Sequence, residues 1–237
     1  MRLDKFLSVT AMATRSESGK AARNGRITVN GVPCKSAAVH IDPEKDVVEY
    51  CGEVVAYRKN IYIMLNKPQG YVSATEDGKD KTVLDLLPEK LRDVGLFPCG
   101  RLDKNTVGLM LLTDNGELGH KLLAPKSHVA KTYGFKCEKE LSDEDVAKLE
   151  SGVYIAGGYL TKPATIKLFQ SRTEGEITIT EGKYHQIKLM LEAVKNKITE
   201  LERLSFGPLV KDESLSRGEW RYLTEQEIEL LEKHCEK

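Results

Sequence analysis

The run Gly108-Leu109-Met110-Leu111-Leu112-Thr113 constrains the fold more than any other stretch of this chain. It is short, apolar and bounded by turn signals, with Asp114-Asn115-Gly116 directly after it, so it reads as a buried strand and requires a sheet around it. A single acid, Asp103, stands just before the strand beside Arg101.

The segments around this strand set the class of fold. Residues 61–66 (IYIMLN) predict a strand and 82–87 a short helix; after the strand at 108–113, residues 117–123 predict a helix. Strands follow over 130–137 and 176–180 with a helix over 143–150 between them. Ile187, Met190, Leu191 and Val194 share one face of a helix over 185–194, residues 198–205 form a further strand, and the acidic tail from 224 reads as a surface helix. This order lacks regular βαβ alternation. It argues for α+β with a largely antiparallel sheet.

The first 60 residues differ in character. Two short helices over 3–9 and 16–24 precede strands over 26–30 and 46–50, with Asn30-Gly31 as a tight turn and 57–60 as a polar linker. The whole chain is formally neutral, yet residues 1–38 carry seven Lys and Arg against two Asp and Glu. Arg2, Lys5, Arg15, Lys20, Arg23 and Arg26 crowd this segment and form a footprint suited to phosphates, although a solvated basic helix face has the same composition. A segment this short can carry only a small core, which makes it an appended module.

Several chemistries lack their spacing here. There is no phosphate loop, no GxGxxG after a strand, no HExxH and no GxSxG. The five cysteines contain no CxxC pair and read as reduced structural thiols, and the five histidines are dispersed. No run of eighteen apolar residues is present, and MRLDKFLSVT is too polar for a signal peptide, so the expectation is a cytoplasmic protein without membrane contact.

Three segments can carry chemistry. Asp103 on its own reads as a turn aspartate bonded to the amides that follow it. Lys131-Thr132-Tyr133 opens a strand, where a half-buried sheet tyrosine is the plain reading of Tyr133. Residues 181–188, EGKYHQIK, start a helix and turn Lys188 off its apolar stripe, as a solvated lysine would also require.

Taken together with MRLDKFL, TRS and GRITVNG at the front, then YIMLNKPQGYVSA, GRLDKNTVGLMLLT, LTKPA and RLSFGPL, these segments resemble the RsuA type of ribosomal pseudouridine synthase over essentially the whole chain. The resemblance implies a small S4 RNA-binding domain of αL type over 1–58. It implies a catalytic domain over 59–237 with a mostly antiparallel mixed sheet flanked by helices. It also implies an isomerase that converts one uridine of ribosomal RNA to pseudouridine as a monomer, without cofactor or metal.

Carried onto matching positions, the resemblance makes Asp103 the catalytic acid, as nucleophile on the sugar or base or as stabiliser of the separated intermediate, Tyr133 the ring that stacks on uracil and sits near the departing proton, and Lys188 the cation paired with Asp103. Arg101 would fill the space left by the flipped base or grip a phosphate. Lys67, Lys131, Lys183 and Arg203 would join the six front cations as backbone contacts. Two departures from the family pattern are Leu189, where many relatives carry a second basic residue, and the order Asp114-Asn115-Gly116. The implied target is uridine 516 of 16S rRNA, free or in an assembly intermediate, with a 23S uridine as runner-up. The rivals of another class are an inactive RNA-binding assembly protein and a hydrolase built on Asp103 and His185.

Overall fold

The computed structural model describes residues 1–10, 12–57 and 59–235. It divides into two compact units, Met1–Ile61 with Leu87–Leu96, and Tyr62–Leu86 with Phe97–Lys237. Of the expected linker over 57–60, Arg58 lies outside the described residues.

In the first unit, helices Leu3–Val9 and Arg15–Arg23 accompany a four-stranded sheet ordered Val32–Pro33, Ile27–Val29, Val48–Tyr50, Glu53–Val54. Leu3, Phe6 and Leu7 recur at helical spacing and are buried with Ala21, Ala22, Ile27 and Val48. Thr14 and Glu17 form a reciprocal capping box that starts the second helix. Asn30 and Gly31, at φ 54° and 75°, provide the two positive-φ residues that a tight hairpin between Val29 and Val32 needs. Burying Ala21 and Ala22 inward leaves Arg15, Lys20 and Arg23 exposed.

The second unit is built on a nine-stranded sheet among the described residues. Its main path runs Thr165–Leu168, Glu174–Ile179, Lys131–Cys137, Ile198–Phe206, Val107–Thr113, Tyr62–Lys67, Trp220–Tyr222. Neighbours along this path are antiparallel except Ile198–Phe206 and Val107–Thr113, which run parallel. Both faces of Val107–Thr113 are covered: Leu109 and Leu111 join one core cluster, and Met110 and Leu112 on the other parity are also buried.

Gly108 makes the parallel pairing possible. Its φ is +100°, and a Cβ there would fall 2.4 Å from the carbonyl oxygen of Arg203 and 2.8 Å from its amide nitrogen. Only glycine allows that approach. At the far end of the strand, the Asn115 side chain accepts from Leu118 N at 3.0 Å and caps helix Gly116–Leu123, so the reordered acidic turn still starts a helix. The C-terminal helix Glu225–Cys235 is less superficial than expected, because Leu231 is fully buried in the core with Leu109, Leu122 and Phe206. No helix among the described residues is long and apolar enough to cross a membrane.

Candidate active site

Asp103 lies in a turn closed by Thr106 N donating to its backbone carbonyl at 3.0 Å. Its carboxylate does not bond the following amides, as an ordinary turn aspartate would. Instead Oδ2 accepts from Lys188 Nζ at 2.6 Å, and His185 Nε2 lies 3.5 Å from Oδ1. The three side chains are about a quarter to a third exposed, so the carboxylate is paired yet open on one side. Spacing explains the double contact. His185 and Lys188 are three residues apart at the start of helix Gln186–Ala193 and share its end.

The loop before that helix is knitted from within. Gln186, 3% exposed, accepts from Lys183 N at 2.9 Å and donates to Glu181 Oε1 at 2.6 Å. Glu181 also accepts from Lys162 N at 2.9 Å and Tyr159 Oη at 2.7 Å, tying the loop to the LTKPA segment. His185 then turns the chain at φ 49°, ψ 28° into the helix.

The loop bearing Asp103 is clamped by the segment 67–73. Lys67, with no exposed surface, points its ammonium at the carbonyls of Thr106 at 2.8 Å, Asp103 at 3.1 Å, Pro68 at 3.2 Å and Lys104 at 3.3 Å. Ser73 Oγ donates to Leu102 O at 2.8 Å and accepts from Leu102 N at 3.0 Å, while Gly70 N donates to Lys104 O at 2.9 Å. Burial pushes the Lys67 amine down to about 8. The expectation that Lys67 meets an RNA phosphate is therefore corrected. Its charge is spent on loop carbonyls and closed to solvent.

Arg203 is corrected for the same reason. It is 1% exposed, donates from Nε to Leu109 O at 2.7 Å and lies 5.1 Å from the centre of the Phe206 ring. Lys131 is half-buried; its Nζ donates to Val129 O at 2.7 Å, and burial, then the nearby Arg203 charge, lowers it to about 8. Lys183 extends over the Tyr159 ring at 4.4 Å. Arg101 is exposed and lines a pocket with Asp103, Tyr133, Thr106, His185 and Lys188. Tyr133 is 7% exposed, and what remains accessible of it lines that pocket. Arg2, Lys5, Arg15, Lys20, Arg23 and Arg26 are all exposed, Arg2 pairing with Asp4 at 2.7 Å.

Sequence reasoning missed Ser73, Glu181 and Gln186 as site-building residues. The available signal was their place inside NKPQGYVSA and EGKYHQIK, but Ser73 meets Leu102 and Glu181 meets Tyr159 and Lys162, groups brought in from distant segments.

Comparison with known proteins agrees with this architecture. The family model described as RNA pseudouridylate synthase matches residues 61–193, and the S4 domain model matches residues 1–48. An RNA pseudouridine synthase of Bacillus subtilis, described as uncharacterized, is 48% identical over 98% of both chains. The ribosomal small subunit pseudouridine synthase A of Escherichia coli strain K12 is 40% identical over 96% of this chain and 98% of its own. A crystal structure of a pseudouridylate synthase superposes with a TM-score of 0.69 at 38% identity, covering 98% of this chain and 99% of that one. Fold and site together define an enzyme that modifies RNA. The chain belongs to the RNA pseudouridylate synthase family and carries an S4 domain.

Proposed function

We propose that this enzyme isomerises uridine 516 of 16S rRNA, with Asp103 as nucleophile. The observation that carries the reading is the Asp103 carboxylate, bonded to Lys188 at 2.6 Å in a pocket walled by Tyr133. Pseudouridine formation breaks the bond from uracil N1 to ribose C1′ and makes one from C5 to C1′. The C5 proton leaves and N1 gains one, so the reaction is redox-neutral and the carboxylate is regenerated. Asp103 attacks, Lys188 balances its charge as the closing substrate removes water, and Tyr133 stacks on the flipped base near the departing proton. Arg101, exposed at the pocket, takes the space or the phosphate vacated by that base.

Residues 1–58 act as the RNA grip, and residues 59–237 perform the chemistry in a monomer that works in the cytoplasm. The choice of the small subunit rests on the similarity to enzymes described as ribosomal small subunit pseudouridine synthase A, at 40–42% identity over nearly the full chain. The substrate is 16S rRNA or an assembly intermediate that contains it.

The test is to map pseudouridine in rRNA from a deletion strain complemented with wild type or Asp103→Asn. Wild type restores one site in 16S rRNA and the variant does not. Restoration by Asp103→Asn removes the nucleophile assignment, a change in 23S rRNA removes the subunit assignment, and no change in either favours a binding protein. Replacing Arg15, Lys20 and Arg23 together weakens rRNA binding and flattens its salt dependence; unchanged affinity would remove the grip from this module.

A further inference from the structure

Beside the catalytic carboxylate stands an aromatic pair that the reaction itself does not use. Tyr184 is 74% exposed, the most exposed large apolar side chain among the described residues. Its ring stacks on that of His185, with centroids 3.8 Å apart and planes 19° from parallel. His185 is a non-glycine residue held at φ 49°, a left-handed conformation that persists only where the surroundings enforce it. The enforcing contacts are those of the knitted loop, Gln186 to Glu181 and to Lys183 N.

That turn sets the His185 ring nitrogen against Asp103 and leaves the Tyr184 ring stacked on it largely in solvent. His185 Nε2 is 3.5 Å from Asp103, whereas Tyr184 makes no hydrogen bond among the described residues. Lys183 is drawn off onto Tyr159 at 4.4 Å, and Arg101 stays exposed in the same pocket as His185. An uncovered aromatic ring, stacked on a histidine that shares its pocket with the exposed Arg101, suits a nucleobase with its phosphate.

From this geometry we infer that Tyr184, backed by His185, is a stacking subsite for an unpaired base flanking the target uridine. The inference rests on the function proposed above. Flipping the uridine deprives its neighbour of a stacking partner, and the Tyr184 ring replaces it without reading base identity. Tyr184 is thus a substrate-positioning residue, and Asp103 keeps the chemistry.

The experiment uses the full chain and total rRNA from cells lacking the gene, which contains the unmodified target whichever subunit carries it. Stacking on an aromatic side chain is worth about 1–3 kcal/mol per base, so Tyr184→Ala raises KM by about 5-fold or more while kcat stays within about threefold. Tyr184→Phe restores the wild-type KM, Tyr184→Leu falls between, and all three variants melt with the wild type because the ring is exposed. Three results would each overturn the subsite: a KM indifferent to Tyr184→Ala, a fall in kcat alone, or a Phe variant as impaired as Ala. A wild-type enzyme that forms no pseudouridine in either rRNA, whether free or in ribosomal particles from the same cells, overturns the function and the subsite together. A working enzyme with an indifferent Tyr184 overturns the subsite only.

Discussion

Replacing Lys67 with methionine separates two roles that a lysine near an RNA site can have. The ammonium has three protons for four carbonyls, and the shorter contacts, to Thr106 at 2.8 Å and Asp103 at 3.1 Å, hold the loop that carries the Asp103 carboxylate. Hydrogen bonds to a charged group contribute about 1.5–3 kcal/mol each, partly offset by the cost of burying the charge, so Lys67→Met destabilises by roughly 2–4 kcal/mol. That is less than the stability of a typical domain, roughly 5–15 kcal/mol, so the variant stays folded. The loss falls on the loop. A reacting group displaced by about 1 Å costs on the order of 100-fold in rate. Single-turnover pseudouridine formation on rRNA should therefore slow about 100-fold, while the Kd from filter binding holds within about threefold and its salt slope is unchanged. A phosphate contact gives the opposite pattern, with weaker binding, a salt slope shallower by about one and an intact rate. That pattern would refute the clamp.

Three further outcomes follow from the geometry. Gly108→Ala places a methyl 2.4 Å from the Arg203 carbonyl oxygen at φ +100°, and denaturant unfolding should show a loss of about 3 kcal/mol or more; a loss under about 1 kcal/mol would mean the strands can separate cheaply. Thr106 is 2% exposed and its hydroxyl has no partner among the described residues, so Thr106→Val should leave the unfolding midpoint unchanged or raised, and a clear drop would reveal a missed bond. The start of the C-terminal helix is held by Arg221, which bonds Asp212 at 2.6 Å and Glu227 at 2.8 Å through two nitrogens. Ser214 and then Arg221 hold Asp212 down to about 2, and Arg221 lowers Glu227, so their stabilisation is full above the ordinary carboxylate range and is lost as pH falls from about 4.5 toward 2. The difference in unfolding midpoint between wild type and Arg221→Gln should shrink on going from pH 6 to pH 3; a constant difference would discard the network.

How far the chain could be read depended on where each residue's partners come from. The helix Leu3–Val9 and the strand Val107–Thr113 were legible because periodicity and flanking turns lie within the segment itself. Trp220–Tyr222 and Thr165–Leu168 were not, being short edge strands of mixed polarity that exist by pairing with Tyr62–Lys67 and Glu174–Ile179. In the site, Asp103 and Lys188 stood out because their motifs are distinctive. Lys67 and Arg203 were misread because a buried cation bonded to backbone carbonyls looks, in sequence, like any exposed one. Nothing in the letters marks which carbonyl will be near.

The place of Ile198–Phe206 within the sheet also bears on synthesis. It lies between Lys131–Cys137 and Val107–Thr113, strands made long before it. Until this late segment leaves the ribosome, the nascent catalytic unit is two half-sheets with open inner edges, each a template for wrong pairing. Insertion of one strand joins the half carrying Asp103 to the half carrying Tyr133. The last sixth of the message therefore decides when the enzyme comes into existence.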